Sequence, residues 1–199
     1  FQNPDRPLRD ATFYLLPSAA GDPMGRRQWL SLLDRVQKGA TLYVSLDTAL
    51  FSSFSRVFGV ESLCRHVRAG PAQVLFDGIE TTPHLTVAAP YRLVLRPGAA
   101  QVLGREADGI PAFTTTRVGK GRVYLLTVPL EKVLSETPGA FDTGPLSSSW
   151  RIYQHMAVPF LGRRAVTKED PRICLTEHPA GIRRIIVAAN CTTLPLNAA

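Results

Sequence analysis

Lysine is scarce in this 199-residue sequence: of 23 cationic residues only four are lysine and 19 are arginine, at a formal net charge of +7. The arginines lie in scattered groups, Arg26/Arg27, Arg65/Arg68, Arg163/Arg164 and Arg183/Arg184. No aromatic residues are interleaved with them as a base-stacking surface requires. A solvated basic surface is the expectation, with no nucleic-acid partner. Cysteine is also sparse. Cys64, Cys174 and Cys191 form an odd, widely spaced set without a Cys-x-x-Cys pair, so neither a disulfide framework nor a structural zinc site is expected. A Cys174–Cys191 pairing across neighbouring strands stays open beside the favoured reading of two buried free thiols. Long apolar runs are missing: stretches such as Leu125–Val128 and Ile185–Ala189 fall far short of the ~20 residues a bilayer demands, and no membrane partner is expected. Repeats and low-complexity tracts are absent, and 45% hydrophobic residues exclude a disordered chain. The chain opens on Phe1 without an apolar signal core, which reads as a processed or excised piece.

What is present is an α/β pattern. Residues 1–10 are polar and proline-containing, as in a linker. Ala11–Leu16 is an apolar run of strand length. Asp22-Pro23 supplies a capping side chain before a proline suited to the first helical position. From there Trp29, Leu32, Leu33 and Val36 recur at helical spacing, and Gly39 stands where a left-handed C-cap belongs. Thr41–Leu46 is a second apolar strand. Strand, helix, glycine and strand within about 35 residues predict a βαβ unit with a parallel, right-handed crossover.

Beyond Asp47 the regularity weakens. Phe51–Val60 reads as a short helix or two turns, with Phe51, Phe54 and Phe58 on one face. Residues 61–111 contain short strand candidates at Ala72–Phe76, Tyr91–Leu95 and Ala100–Leu103, an all-β excursion within the α/β domain. Ala112–Val118 and Arg122–Val128, joined by Gly119-Lys120-Gly121, form a hairpin whose second strand is apolar enough to be covered on both faces. Leu130–Leu134 starts a short helix. Ser148 or Ser149 caps another through about Leu161, with Trp150, Tyr153, Ala157 and Phe160 inward and Pro159 expected to kink or end it early. Arg172–Thr176 and Ile182–Asn190 form an antiparallel hairpin turning at His178-Pro-Ala-Gly181. The expected domains are therefore a linker over 1–10, an α/β domain over 11–161, and over 162–199 a hairpin tail or the start of a β-sandwich too short to bury its own core.

The strand at Phe13–Leu16, the helix at Arg26–Gln37, the segment KGATLYVSL at 38–46 and the segment RVGKGRVYLLTVPLE at 117–131 together resemble the class I glutamine-amidotransferase-like domain. The version resembled is the non-catalytic one that follows the TIM barrel of bacterial glycoside hydrolases, the β-galactosidase trimerisation domain. The tail IRRIIVAAN at 182–190 is similar to the first strands of the β-sandwich that follows such domains. The resemblance spans about residues 11–161 and implies a flavodoxin-like three-layer α/β sandwich. It also implies a larger parent enzyme acting on carbohydrate, with an upstream catalytic barrel as partner, a homo-oligomer, and carbohydrate as a further partner.

No residue combination in the sequence demands a reaction. An active amidotransferase needs a cysteine on a sharp strand-to-helix turn, with an oxyanion hole and a carboxylate-held histidine. Cys64, in Ser62-Leu-Cys-Arg-His66, has no adjacent glycine. Cys64 and His66 share a face only if they lie on a strand, where Arg65 and Arg68 would lower the thiol pKa. Cys174 and Cys191 read as core, His84, His155 and His178 as isolated, and Glu177-His178 as lacking further metal ligands. Gly119-Lys120-Gly121 lacks the glycines, the Ser or Thr and the following helix of a phosphate loop. Glycoside hydrolysis needs two converging carboxylates; Asp77, Glu80, Glu131 and Asp142 lie near strand ends, and nothing singles out two. Trp29, Trp150 and the Phe51/Phe54/Phe58 set read as core or subunit interface rather than sugar platforms. No catalytic residue, metal or cofactor is therefore expected, and the binding residues are open. The expected role is a non-catalytic accessory domain supporting stability, subunit contacts or the edge of a carbohydrate cleft. The competing readings are an amidotransferase-type enzyme using Cys64 and a stand-alone carbohydrate-binding module.

Overall fold

The computed structural model describes residues 8–17, 25–46, 54–79, 85–140, 146–161 and 173–190. The chain divides into two compact units, Phe1–Tyr153 and Gln154–Ala199. The first is built on a seven-stranded mixed sheet. Its strands, in chain order, are β1 (Phe13–Leu16), β2 (Thr41–Ser45), β4 (Ala72–Phe76), β5 (Leu85–Val87), β7 (Gln101–Glu106), β8 (Pro111–Val118) and β9 (Gly121–Leu126), arranged in space as β1-β2-β9-β8-β7-β4-β5. Strands β3 (Val60–Val67) and β6 (Tyr91–Pro97) form a separate antiparallel pair with an irregularity between Ser62 and Cys64. The α/β class stands. Among the described residues, only β1, β2 and β9 run parallel, and the other pairings in the sheet are antiparallel.

The predicted βαβ unit is present, with helix α1 at Arg26–Gln37 between β1 and β2. Leu32 and Val36 are fully buried, and Trp29 and Leu33 pack beside them. They meet Leu42 and Val44 of β2 and Val123 and Leu125 of β9 in one core, which also takes in Leu93 and Leu95 of β6 and Leu8. Each fully buried aliphatic side chain is worth roughly 1.5–3 kcal/mol, so this face contributes substantially to stability. The helix stops at Gly39, whose φ of 126° lies in the region that favours glycine. The expected Asp22 cap lies outside the described residues; Gly25 occupies the N-cap position without a side-chain hydrogen bond.

The Gly119-Lys120-Gly121 turn closes against the end of α1. Lys120 N–H donates to Gln37 O (3.0 Å), a carbonyl that the helix terminus leaves unpaired, and Arg122 N–H to Ala40 O (3.3 Å) just beyond it. A Cβ on Gly121 would stand 2.1 Å from Val36 O and 2.2 Å from Ala40 O, so only glycine lets the hairpin approach this closely.

Several elements depart from expectation. Within Phe51–Val60 the described helix is one wide turn, Phe54–Phe58; Phe51 lies outside the described residues, and Phe58 is buried beside Trp29 with ring centroids 6.4 Å apart. The described residues of 61–111 form strands and turns without a helix, and β4, β5 and β7 extend the main sheet. Strand β3 is eight residues long although most of it is exposed, so it carries no alternation to betray it.

Helix α2 spans Leu130–Glu136 and α3 spans Trp150–Leu161. Pro159 does not end α3, because it stands in the last turn, where its missing N–H removes one bond at an end that frays in any case. The inward side of α3 takes only part of the expected set: Tyr153 turns in to Glu131 and Tyr43. Ser149, Ile152 and Met156 are buried, whereas Trp150 and Phe160 are 38% and 39% exposed. Aromatic size misplaced Trp150 and Phe160, not Tyr153. The Ser149 hydroxyl is buried and makes no hydrogen bond, so it does not cap the helix.

In the second unit β10 (Ile173–Ala180) and β11 (Arg183–Asn190) form the expected antiparallel hairpin. It turns on Gly181-Ile182, not on His178-Pro-Ala-Gly181, since His178, Pro179 and Ala180 pair with Ile185, Arg184 and Arg183. Cys174 is exposed, contrary to the core reading, and is a free thiol opposite Ala189. Cys191 lies outside the described residues. Among the described residues no helix is long and apolar enough to cross a membrane.

Candidate functional site

Alternation along β2 sends Leu42 and Val44 to the α1 face and Tyr43 and Ser45 to the other. That second face meets the start of α2, where Glu131 occupies the first turn, a position that favours a carboxylate beside unpaired backbone N–H groups. Tyr43 Oη donates to Glu131 Oε1 (2.7 Å), Tyr153 Oη donates to the same oxygen (2.7 Å), and Ser45 Oγ donates to Oε2. The rings of Tyr43 and Tyr153 meet edge to face at 6.0 Å. Tyr43 is fully buried. Burial first, and the Glu131 charge second, hold its phenol well above the ordinary tyrosine pKa, and the same two causes raise that of Tyr153. Both phenols therefore stay protonated and remain donors. The cluster joins β2, α2 and α3 where parallel strands β2 and β9 end, the edge at which open α/β sheets place ligands. It gathers three hydroxyl donors around one carboxylate.

A second polar group lies where β3, β6 and β7 converge. The Arg68 guanidinium grips Glu106 through two hydrogen bonds of 2.7 and 2.5 Å, and its Nε donates to Tyr91 O (3.0 Å). The two side chains are only 7% and 6% exposed. Arg92 adds an ion pair to Glu106 at 3.3 Å and a hydrogen bond to Asp108. That bond from Arg92 holds the Asp108 carboxyl below its usual pKa. A buried carboxylate costs several kcal/mol unless paired this way. The network ties the two-stranded pair to the main sheet and fixes one wall of a cleft of about 480 Å³. The cleft lies between the Arg68–Pro71 loop, the Ala88–Pro90 loop, and Pro129, Lys132, Val133 and Glu136 at α2.

Among the four carboxylates weighed from sequence, Glu131 is engaged by the three hydroxyls, Asp77 is exposed, and Glu80 and Asp142 lie outside the described residues. Cys64 and His66 do lie on a strand, but on exposed positions opposite Val94 and Arg92. Arg65 packs over the Tyr91 ring at 3.8 Å, and Arg68 is committed to Glu106. Glu177 and His178 are consecutive on β10 and point to opposite faces; Glu177 pairs with Arg184 (3.2 Å) and His178 lies 3.1 Å from Thr176 Oγ1. His155 is half-buried on α3, and His84 lies outside the described residues. Among the described residues no group of three His, Cys, Asp or Glu side chains could hold a metal.

Sequence reasoning weighed Glu131 as one of four carboxylates near strand ends but did not assign Tyr43, Ser45, Tyr153 or Glu106 to a polar cluster. The signal for the first two was the i, i+2 spacing of two hydroxyls in a strand buried on both faces, since each buried hydroxyl requires a partner.

No protein-family model matches the sequence, and no curated protein matches it. Solved structures do. The exo-β-1,4-mannosidase Op5Man5 from Opitutaceae bacterium strain TAV5 is 22% identical, with a TM-score of 0.60 over 75% of this chain and 27% of its own. A GH42 β-galactosidase from G. stearothermophilus is 17% identical, with a TM-score of 0.59 over 89% of this chain and 25% of its own. The cold-adapted β-galactosidase from Rahnella sp. R3 is 16% identical, with a TM-score of 0.62 over 94% of this chain and 28% of its own. The chain thus spans about a quarter of the length of the solved chains it matches. What they share with it is the fold.

Proposed function

We propose that this chain is a non-catalytic accessory domain of a glycoside hydrolase. In this reading it is a flavodoxin-like, class I amidotransferase-like three-layer sandwich of the β-galactosidase trimerisation type. Its partners are an upstream catalytic barrel, further copies of itself and carbohydrate. The parallel trio β1, β2 and β9 with α1 is the part of such a sandwich that supports the fold assignment. The observation that carries the functional reading is the edge where β2 and β9 end. The groups gathered there are the Glu131 carboxylate and the hydroxyls of Tyr43, Ser45 and Tyr153, bonded to one another in an arrangement that holds elements together. Cys64, the nucleophile an amidotransferase reading requires, lies instead on β3 in the separate two-stranded pair, exposed. Structural likeness to parts of a mannosidase and of β-galactosidases supports the choice of parent, although fold alone does not assign activity.

The test is ammonia release from glutamine by the purified chain and by Cys64→Ser. The accessory reading expects none from either protein. Release by the parent chain that disappears in Cys64→Ser overturns it in favour of an amidotransferase.

A further inference from the structure

We infer that the hydroxyls of Thr114 and Thr127 together bind one buried water molecule between the end of β9 and the start of β8. The segment FTTT at 113–116 and the residue that follows β9 bring four threonines into the interior, each no more than 8% exposed. A buried hydroxyl requires a hydrogen-bond partner, and two of the four find one in the backbone. Thr115 Oγ1 donates to Val123 O (3.2 Å) and Thr116 Oγ1 to Phe58 O (2.5 Å). Thr114 and Thr127 are buried to the same degree, and their hydroxyls find no partner among the described residues.

The strand register brings these two hydroxyls together. Thr114 stands opposite Leu125, and Thr127 N–H donates to Ala112 O (2.9 Å), which carries the same ladder two residues further. Residues two apart on a strand share a face. Ala112, Thr114, Leu125 and Thr127 therefore project to one side, where Leu125 joins the core under α1. Thr114 and Thr127 are diagonal neighbours on that side, with Cβ atoms somewhat under about 7–8 Å apart. Two hydroxyls turned toward one another from that separation leave a gap that one water spans with O–H···O bonds of roughly 2.8 Å. Room comes from Ala112, a small side chain that is fully buried and that the irregular β7–β8 pairing skips. None of these four residues carries a charge, and a hydroxyl both donates and accepts. The matching ligand is neutral, two-sided and small enough for a closed site, which describes water.

Threonine-to-valine exchange keeps the shape of the side chain and removes its hydroxyl, so it separates a hydrated pair from a dry one. With water bound, Thr114→Val and Thr127→Val each remove one anchor and leave the other hydroxyl poorly partnered. Each single variant should therefore melt several degrees lower than the parent chain. The double variant removes both polar groups, and its loss should be smaller than the sum of the single losses. A crystal structure of the parent chain should show one ordered water within hydrogen-bond distance of both Oγ1 atoms. An unchanged or higher melting temperature in either single variant, additive losses, or no ordered water between the two hydroxyls overturns the proposal. The accessory reading is independent of all these outcomes, because it concerns turnover.

Discussion

At Glu131 one carboxylate accepts hydrogen bonds from Tyr43, Ser45 and Tyr153, and the cost of losing any member falls on the others. Tyr43→Phe removes a donor to a charged acceptor and should destabilise the fold by about 2 kcal/mol, read by chemical denaturation. The tyrosines also set the alkaline limit. Their pKa values are higher in the folded chain than the ordinary value of about 10, so their stabilisation is complete below that pH and is lost progressively as pH rises above it. Denaturation midpoints should therefore fall steeply above about pH 10, and less steeply in Tyr43→Phe. A midpoint indifferent to alkali would contradict the buried position of this phenol. Arg68 poses the converse problem. Arg68→Met leaves Glu106 buried without its two strongest bonds, at a cost of about 3–5 kcal/mol. The double variant Arg68→Met/Glu106→Leu should recover much of that loss, since what destabilises is the orphaned charge. Failure of the double variant to recover would assign the effect to packing.

Among the elements, the Gly119-Lys120-Gly121 hairpin and the end of α1 form the joint most closely specified by sequence. Gly121→Ala forces a methyl group to within about 2 Å of two backbone carbonyls and should cost more than about 3 kcal/mol. A melting temperature within experimental error of the parent chain would refute that fit. This joint was legible in the sequence because helix period, C-cap glycine and turn glycines all pointed to the same structure. Strand β3 was not, because ESLCRHV has no buried face and so no period to read. The inward face of α3 was only partly legible for a different reason: Ile152 and Met156 repeat at helical spacing as well as Trp150, Tyr153 and Phe160 do, and tertiary packing buries the first two, takes in Tyr153 and leaves Trp150 and Phe160 exposed. For the polar cluster, the sequence offered Glu131 only as one of four carboxylates near strand ends. Tyr43 and Ser45, two apart on one strand, carried a local signal, but their distance in sequence from residues 131 and 153 encodes no sign that the four meet.

For the whole molecule, a mixed sheet covered on both faces of its parallel edge accounts for the stability of the first unit. The polar residues gathered at that edge are used in cohesion. The account therefore predicts that Glu131 matters to folding and not to turnover, even though a carboxylate near a strand end is what a glycoside hydrolase employs. The most direct measurement pairs the melting temperature with hydrolysis of aryl β-galactoside and aryl β-mannoside, for the purified chain and for Glu131→Gln. An amide offers one acceptor oxygen where the carboxylate offers two, so the variant should melt several degrees lower, in keeping with a loss of roughly 1–3 kcal/mol, while neither protein hydrolyses either glycoside. Hydrolysis by the parent chain that Glu131→Gln abolishes at an unchanged melting temperature would contradict the account.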